Sequence, residues 1–551
     1  MAKQQTLLKI IPLGGMGEIG KNMIALSYGD EIMMIDGGLA FPDAEMLGVD
    51  ILIPKVEWLV KNSKKIKGWV LTHGHEDHIG GLPYILPQLP KIPIYGTKLT
   101  LGLLREKFKE FKLQSEDVVL KEVGPDERIK VSKSFTVDYF RMTHSIPDNC
   151  GLVIHTPIGR IVHSGDFKLD LKPSDGRTSH LHKLAAIGAE GVLALMSDST
   201  NAERPGITSS EDDVMKAMEE IISRAKGRVI VTTFSSHIHR LQNVIRIAER
   251  QDRRVVVEGR SMVRNTRVAE ELGYLEMKEP IATSADVQTM QDDKVLFLCT
   301  GSQGQPMAAL SRLATGNHRN VTLKAGDTVI MSSNPIPGNE EPVNKLINKL
   351  YARQVKVFDP PKYNVHASGH ASQDELKLIL ELTKPRFFIP WHGEMRQQIN
   401  HANIAKSLSL PPRKTLIASN GDVIEVTKND IRANDQIEIG SVYIDNSGNK
   451  AQEISHSAIR DRQIMSQEGV VVIMAVARKN PIFELTTRGL SEPEISFEDE
   501  IKRIVLNSLD AGIRDKSPIK DIRNDVYIQV SRFIRKSTGK NPVILCTLLR
   551  G

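Results

Sequence analysis

The apolar residues of the first third fall in short runs closed by turn residues. Residues 7–13 end at Gly14-Gly15, 23–28 at Gly29-Asp30, and 31–35 at Asp36-Gly37-Gly38. Runs this short, with glycine and aspartate at their ends, predict strands and hairpins. Residues 67–72, 135–142, 150–155, 160–163 and 192–196 predict further strands, and 79–86 a helix. Near Ser209 the pattern changes. Ser210 caps a predicted helix reaching about Lys226, followed by strand 229–232, helix 237–250 and strand 254–258. That alternation predicts a parallel sheet, which 294–299 and 328–332 extend. Helix 373–382 and strand 386–390 come next, and then a stretch rich in Asn and Ser around 445–449 that reads as a linker. Strands 470–477, 482–487 and 543–549, with helices at 497–509 and from Ser517-Pro518, predict a separate α+β domain.

This organisation has an α/β unit inserted into another domain. The expected parts are 1–207, the insertion 208–362, the return of the first domain at 363–442, a linker at 443–464, and a C-terminal domain at 465–551. At roughly 150 residues per domain, 551 residues allow this number.

Composition narrows the class. The chain is 40% hydrophobic and 25% charged, which excludes disorder over most of its length. The best apolar run, 469–477, is far shorter than the ~18 residues of a membrane span. Residues 1–5 carry no apolar stretch of the kind that begins a secretory signal. Cys150, Cys299 and Cys546 are too few and too scattered for a disulfide framework or a thiolate metal site. These features predict a reduced, cytoplasmic protein with no membrane partner. The net charge of +6 is concentrated at the end: residues 501–551 hold 11 Lys/Arg against 4 Asp/Glu, a balance of +7. Such a segment suits a nucleic-acid or acidic partner, and equally a solvated helix face.

The chemistry centres on Thr72-His73-Gly74-His75-Glu76-Asp77-His78. Histidine is 16 of 551 residues, so a chance His-x-His-x-Asp-His has odds on the order of one in a thousand. In an extended loop, His73 and His75 point the same way and can grip one metal, while Asp77 and His78 address a second. Imidazole and carboxylate suit Zn²⁺ or Mn²⁺. Two metals need further ligands, and His144, Asp166 and His392 each stand at the end of a predicted strand. Asp166 can bridge both. His155 and His163, inside strands, read as packing or surface residues.

This set resembles the metallo-β-lactamase superfamily, with Asp36 in Met34-Ile35-Asp36-Gly37-Gly38 matching its first motif. The insertion, Asp198 in Ser197-Asp198-Ser199-Thr200, and His370 in His366-Ala367-Ser368-Gly369-His370 resemble its β-CASP nuclease subgroup. Gly301-Ser302-Gln303-Gly304-Gln305-Pro306, the 333–340 segment and the C-terminal appendage resemble the bacterial ribonuclease J family. Gln305 departs from the family pattern, where glutamate is expected, so no carboxylate role carries over there.

The resemblance implies an α/β fold: a metallo-β-lactamase αββα sandwich with an inserted β-CASP α/β domain and a small α+β C-terminal domain. It implies two divalent ions per subunit, Zn or Mn, held by His73, His75, Asp77, His78, His144, Asp166 and His392, with Asp36 fixing the ligand loop by hydrogen bonds. It implies hydrolysis of single-stranded RNA, 5′→3′ from a monophosphorylated end and also internally, in bacterial RNA maturation and decay. His370 would protonate the leaving oxygen, held by Asp198. His366, Ser368, Gly369 and His370, with Ser235, Ser236, Gly301 and Ser302, would hold RNA phosphates. The family also implies a homodimer or dimer of dimers, with a paralogous subunit or other RNA-decay proteins as further partners. The core motifs alone would also permit hydrolysis of a lactam or thioester, which the long insertion argues against. A non-catalytic scaffold would have lost metal ligands, and none is missing. His392 favours RNA over DNA, because DNA-directed members usually lack that histidine.

Overall fold

The computed structural model describes residues 7–43, 45–113, 118–336, 338–409, 411–446, 451–478, 481–490 and 496–550. Residues 1–5, Pro337 and the 447–449 part of the expected linker lie outside them. The chain divides into two compact units, Met1–Phe41 with Leu52–Val442, and Pro42–Ile51 with Tyr443–Gly551.

The first unit is built on two mixed sheets. Strand Leu8–Gly14 is buried along nearly its whole length because it lies inside an eight-stranded sheet, between Asp422–Val426 and Met23–Tyr28. That sheet continues through Glu31–Ile35, Ile66–Val70, Pro93–Gly96 and Val119–Glu122. In the second sheet, of seven strands, Ala194–Asp198 runs parallel to both Gly159–His163 and Phe387–Trp391. The inner faces share one apolar core, which includes Ile10, Ile24, Met33 and Val70 from the first sheet and Val137, Leu152, Ile161 and Ile389 from the second. Each sheet buries its outer face under helices. Lys98–Glu110 packs Leu99 and Leu103 with Trp69 and Leu71 of the first sheet. Leu181–Glu190, Gln373–Thr383 and Met395–Lys406 cover Val153, Val162 and Phe388 of the second. The result is the expected αββα sandwich.

The insertion carries a five-stranded, wholly parallel sheet. Its order is Arg254–Glu258, Val295–Cys299, Val229–Thr232, Thr328–Met331 and Lys356–Phe358. Strand Val229–Thr232 is first in sequence but central in space, so the chain turns to opposite sides after it. The loops leaving three neighbouring strands, at 233–237, 300–306 and 332–336, therefore border one crevice at the carboxyl edge of the sheet. Such a switch point is where open α/β sheets bind ligands.

In the second unit, strand Val470–Ala477 pairs antiparallel with Ile482–Arg488 and parallel with Val543–Arg550. The alternate residues Val471, Ile473, Ala475 and Ala477 meet Ile501, Val505 and Leu509 of one helix and Ile522, Val526 and Val530 of the next. This is the expected small α+β domain. Among the described residues no helix is long and apolar enough to cross a membrane.

Two expectations need correction. Among its described residues the stretch expected as a linker at 443–464 is structured: Ser441–Asp445 pairs with Gln452–Ile454, and helix His456–Glu468 follows. Ser455 caps that helix by accepting the Ala458 N–H at 3.2 Å, so this serine starts a helix rather than serving as a spacer. The helix expected at 79–86 is instead two single turns, Glu76–Ile79 and Leu82–Ile85, with a 3₁₀ turn at Leu86–Gln88. The pair Gly80-Gly81 breaks it; a Cβ at Gly81 would lie 2.5 Å from the Gly38 carbonyl oxygen.

Candidate metal centre

The histidine loop leaves the end of strand Ile66–Val70 and is pinned by the neighbouring strand Glu31–Ile35. Asp36 follows that strand in the left-handed region, φ 53°. Its Oδ1 accepts the Thr72 N–H at 2.8 Å, and its Oδ2 accepts the Thr72 hydroxyl and the His78 Nδ1–H, both at 2.8 Å. The last bond orients the ring so that His78 Nε2 faces the centre. Gly38 is required here, since a Cβ would fall 1.7 Å from the Asp77 carbonyl oxygen.

Three imidazoles meet on one side. His75 Nδ1 lies 3.0 Å from His73 Nε2 and 3.1 Å from His144 Nε2. His144 donates its Nδ1–H to the Gly369 carbonyl at 2.6 Å, which leaves Nε2 without a proton. Burial, with the neighbouring imidazoles, holds His73 and His75 well below the ordinary histidine range and brings His144 down to about 3. Neutral imidazoles at such spacing can each turn a nitrogen lone pair to one cation between them. Ligands of one tetrahedral Zn²⁺ stand about 3.4 Å apart, close to what is seen.

Carboxylates gather on the other side. Asp166 Oδ2 is 3.2 Å from His78 Nε2 and 3.9 Å from both His73 Nε2 and His144 Nε2, while Oδ1 is 3.0 Å from His392 Nδ1. Asp77 Oδ2 lies 3.6 Å from His78 Nε2 and 3.4 Å from His392 Nε2. His392 Nε2 is buried and makes no hydrogen bond. Burial would raise Asp166, but His392 and His78 outweigh it and hold the carboxyl well below its usual range. Burial likewise opposes charge on His78, yet Asp166, Asp77 and Asp36 hold it well above its usual range. The set His73, His75, His144 and the set Asp77, His78, Asp166, His392 each bring their ligand atoms within 4.8 Å of one another. Imidazole with carboxylate, buried and partly orphaned, fits divalent-cation binding, with Asp166 close to both donor sets.

Beside this centre His370 Nδ1 donates to Asp198 Oδ2 at 2.7 Å and lies 4.0 Å from Asp166 Oδ2. Asp198 Oδ1 accepts the Thr200 N–H and hydroxyl at 2.9 and 2.7 Å. Burial disfavours the imidazolium of His370, but Asp198 outweighs it and raises the group to about 9.

The expected phosphate-binding residues divide. The Ser368 hydroxyl takes hydrogen bonds from Asn201 Nδ2 at 2.8 Å and the His370 N–H at 3.2 Å. Gly369 lies against His144; a Cβ there would be 2.7 Å from the imidazole. His366 has a buried Nδ1 with no hydrogen-bond partner. Ser235 accepts from Asn265 at 3.3 Å and, like Ser236, is half-buried at the switch-point crevice. Gly301 and Ser302 are buried, which leaves Gln305, Pro306 and Met307 as the exposed part of their loop. His163 is buried and accepts the Gly165 N–H, and His155 pairs with Asp138 at 2.9 Å, so neither joins the centre.

Sequence reasoning missed Asn22, whose Nδ2 lies 3.1 Å from His78 Nε2 and whose N–H donates to the Asp77 carbonyl at 2.9 Å. It sits in a turn with no periodic signal. It also missed Asn201, three residues after Asp198, whose Nδ2 donates to the His370 carbonyl at 2.9 Å.

Comparison with known proteins gives the family. Residues 16–199 match the metallo-β-lactamase superfamily, and 226–350 the β-CASP domain of ribonuclease J. Residues 362–409 match the Zn-dependent metallo-hydrolase RNA specificity domain, and 457–551 the ribonuclease J C-terminal domain. Over 551 residues the chain is 53% identical to ribonuclease J of Thermus thermophilus, covering 99% of this chain and 96% of that one. It is 41% identical to ribonuclease J of Synechocystis, covering 98% and 83%, and 36% identical to ribonuclease J2 of Bacillus subtilis, covering 98% and 98%. A solved structure of a protein of unknown function from Enterococcus faecalis shares the fold, with a TM-score of 0.55 at 16% identity over 76% of this chain and 100% of that one.

Proposed function

The chain belongs to the ribonuclease J family of metal-dependent ribonucleases, and on that premise we propose that it degrades single-stranded RNA 5′→3′ from a monophosphorylated end and also cuts internally. The observation that carries the chemistry is the position of Asp166, whose two oxygens face the imidazole set and the carboxylate set together. His73, His75 and His144 would hold one divalent ion, Asp77, His78 and His392 the other, and Asp166 both. When bound, the two ions supply Lewis acidity to the phosphodiester and to the water that attacks it.

The chain's own groups do the rest. Asp77 and Asp166 orient the attacking water. As the phosphorus–O3′ bond breaks, His370 delivers a proton from Nε2 to the leaving 3′ oxygen, while Asp198 holds its Nδ1–H. The products are a 5′-phosphate and a 3′-hydroxyl. Ser235, Ser236 and the 301–307 loop hold the RNA backbone at the switch-point crevice, and His366 to His370 a phosphate nearer the centre.

The test is cleavage of one RNA prepared with a 5′-monophosphate or a 5′-triphosphate, with Mn²⁺, Zn²⁺ or chelator. Nucleotide release from the monophosphorylated RNA, absent in the His75→Ala/Asp77→Ala variant and in chelator, is the expected result. Equal internal cuts in both RNAs would make the activity mainly endonucleolytic. No cleavage by a metal-loaded protein would defeat the reading.

Asp36 gives a second expectation. Asp36→Asn keeps the shape but weakens its grip on His78 and Thr72. Metal binding should weaken by about ten- to a hundredfold, as for other carboxylates that orient a ligating histidine. Titration of the metal-free protein against a buffered metal series measures this; unchanged affinity would remove Asp36 from the site.

A further inference from the structure

We infer that Arg240 is a positioning residue for RNA cleavage: its one guanidinium ties together both chain crossings into the inserted domain and so fixes the RNA-backbone loops relative to the metal centre. The inference rests on the ribonuclease reading above.

The chain enters the insertion just before Glu211 and returns just before Val365. Arg240, 1% exposed at its side chain, reaches both. Its Nε and Nη2 donate to the two carboxylate oxygens of Glu211, both at 2.9 Å. Its Nη1 donates to the Val365 carbonyl at 3.1 Å and to the Ser332 hydroxyl, which itself donates to the same carbonyl at 2.7 Å. From Glu211 the contacts continue to Lys168, whose Nζ is 3.5 Å from Glu211 Oε1 and 3.3 Å from Asp170 Oδ2. Lys168 is two residues past Asp166, and its N–H donates at 2.9 Å to the carbonyl of Thr143, the residue before His144. In the other direction the Arg240 N–H donates at 3.3 Å to His237, next to Ser235-Ser236, while Val365 precedes His366. A continuous set of buried contacts therefore joins two metal ligands to both loops expected to hold RNA.

A buried ion cluster is weak evidence for stability, because desolvation offsets the attraction of its charges. This one stands only where the two crossings meet, which suits the setting of an orientation. The planar, forked guanidinium spreads its donors over three nitrogens, so it can hold Glu211 bidentately and still reach Val365; an ammonium gathers its three donors on one nitrogen and loses that fixed span.

Arg240→Lys keeps the charge and loses the bridge; Glu211→Gln keeps the shape and weakens it. For each, bound metal per chain and hydrolysis of bis(p-nitrophenyl) phosphate report the metal centre, and kcat/KM on 5′-monophosphorylated RNA reports the aligned site. The expected result is metal content and small-ester hydrolysis within about twofold of wild type with RNA cleavage down about ten- to a hundredfold, the scale of a misplacement near 1 Å. RNA cleavage unchanged in Arg240→Lys, or metal content lost in step with it, would overturn the inference. If Arg240→Lys does not fold, Glu211→Gln carries the same comparison. Wild-type protein that holds metal but leaves RNA intact would instead defeat the ribonuclease reading itself.

Discussion

Asp166→Ala will lose RNA cleavage by about three powers of ten or more, even with metal in excess. Among the described residues Asp166 is the one carboxylate close to both donor sets, 3.2 Å from His78, 3.9 Å from His73 and His144, and 3.0 Å from His392. Alanine removes the negative charge that faces both cation positions, and with it the group that aligns the attacking water between them. Charge stabilisation at such a site is worth several kcal/mol, and each factor of ten in rate corresponds to about 1.4 kcal/mol. Metal content should fall as well, most on the side of His78 and His392, where Asp77 is then the carboxylate left in that donor set. Single-turnover cleavage of 5′-monophosphorylated RNA, with metal per chain measured on the same sample, checks both statements. A thermal melt separates loss of chemistry from loss of fold. An Asp166→Ala protein that keeps a tenth of wild-type activity would show that the carboxylate does not stand between two working ions.

The candidate ligands were open to sequence reading for a local reason. His73, His75, Asp77 and His78 lie within one short loop, and His144, Asp166 and His392 each follow an apolar run that the structure folds as a strand of the second sheet or its immediate edge. Runs and their ends are visible in a sequence. Contacts between distant segments are not. The Gly369 carbonyl that fixes the proton on His144 is 225 residues away from it, and in the sequence Gly369 is only part of a small-residue turn. The Arg240 bridge to Glu211 and Val365 spans 29 and 125 residues, and Arg240 reads as an ordinary helix residue until the two crossings are brought together. The same limit applies to the fold. The parallel sheet of the insertion follows from alternating runs, but the order that puts Val229–Thr232 at its centre, and so gathers three loops into one crevice, comes from packing alone. The 443–464 segment misled because serine caps a helix, as Ser455 does, as readily as it fills a linker.

His370 can be separated from a mere phosphate contact by changing the leaving group. Its Nδ1 is committed to Asp198 at 2.7 Å, and Asp198 is itself fixed by Thr200 at 2.9 and 2.7 Å, so only Nε2 is available to the substrate. A general acid of this kind contributes about 10²–10⁴ in rate. His370→Ala should therefore slow RNA cleavage by about that factor, because the 3′ oxygen must leave with a proton. A nucleotide p-nitrophenyl ester releases p-nitrophenolate, a weak base that needs none, and its hydrolysis should fall by less than about tenfold. Asp198→Asn should reproduce the pattern in milder form, since the amide can still orient Nδ1 but no longer favours the imidazolium. Equal losses on both substrates would mean that His370 binds the phosphate and moves no proton. The comparison is informative because both substrates present the same phosphorus to the same metal ligands and differ in the basicity of the oxygen that departs.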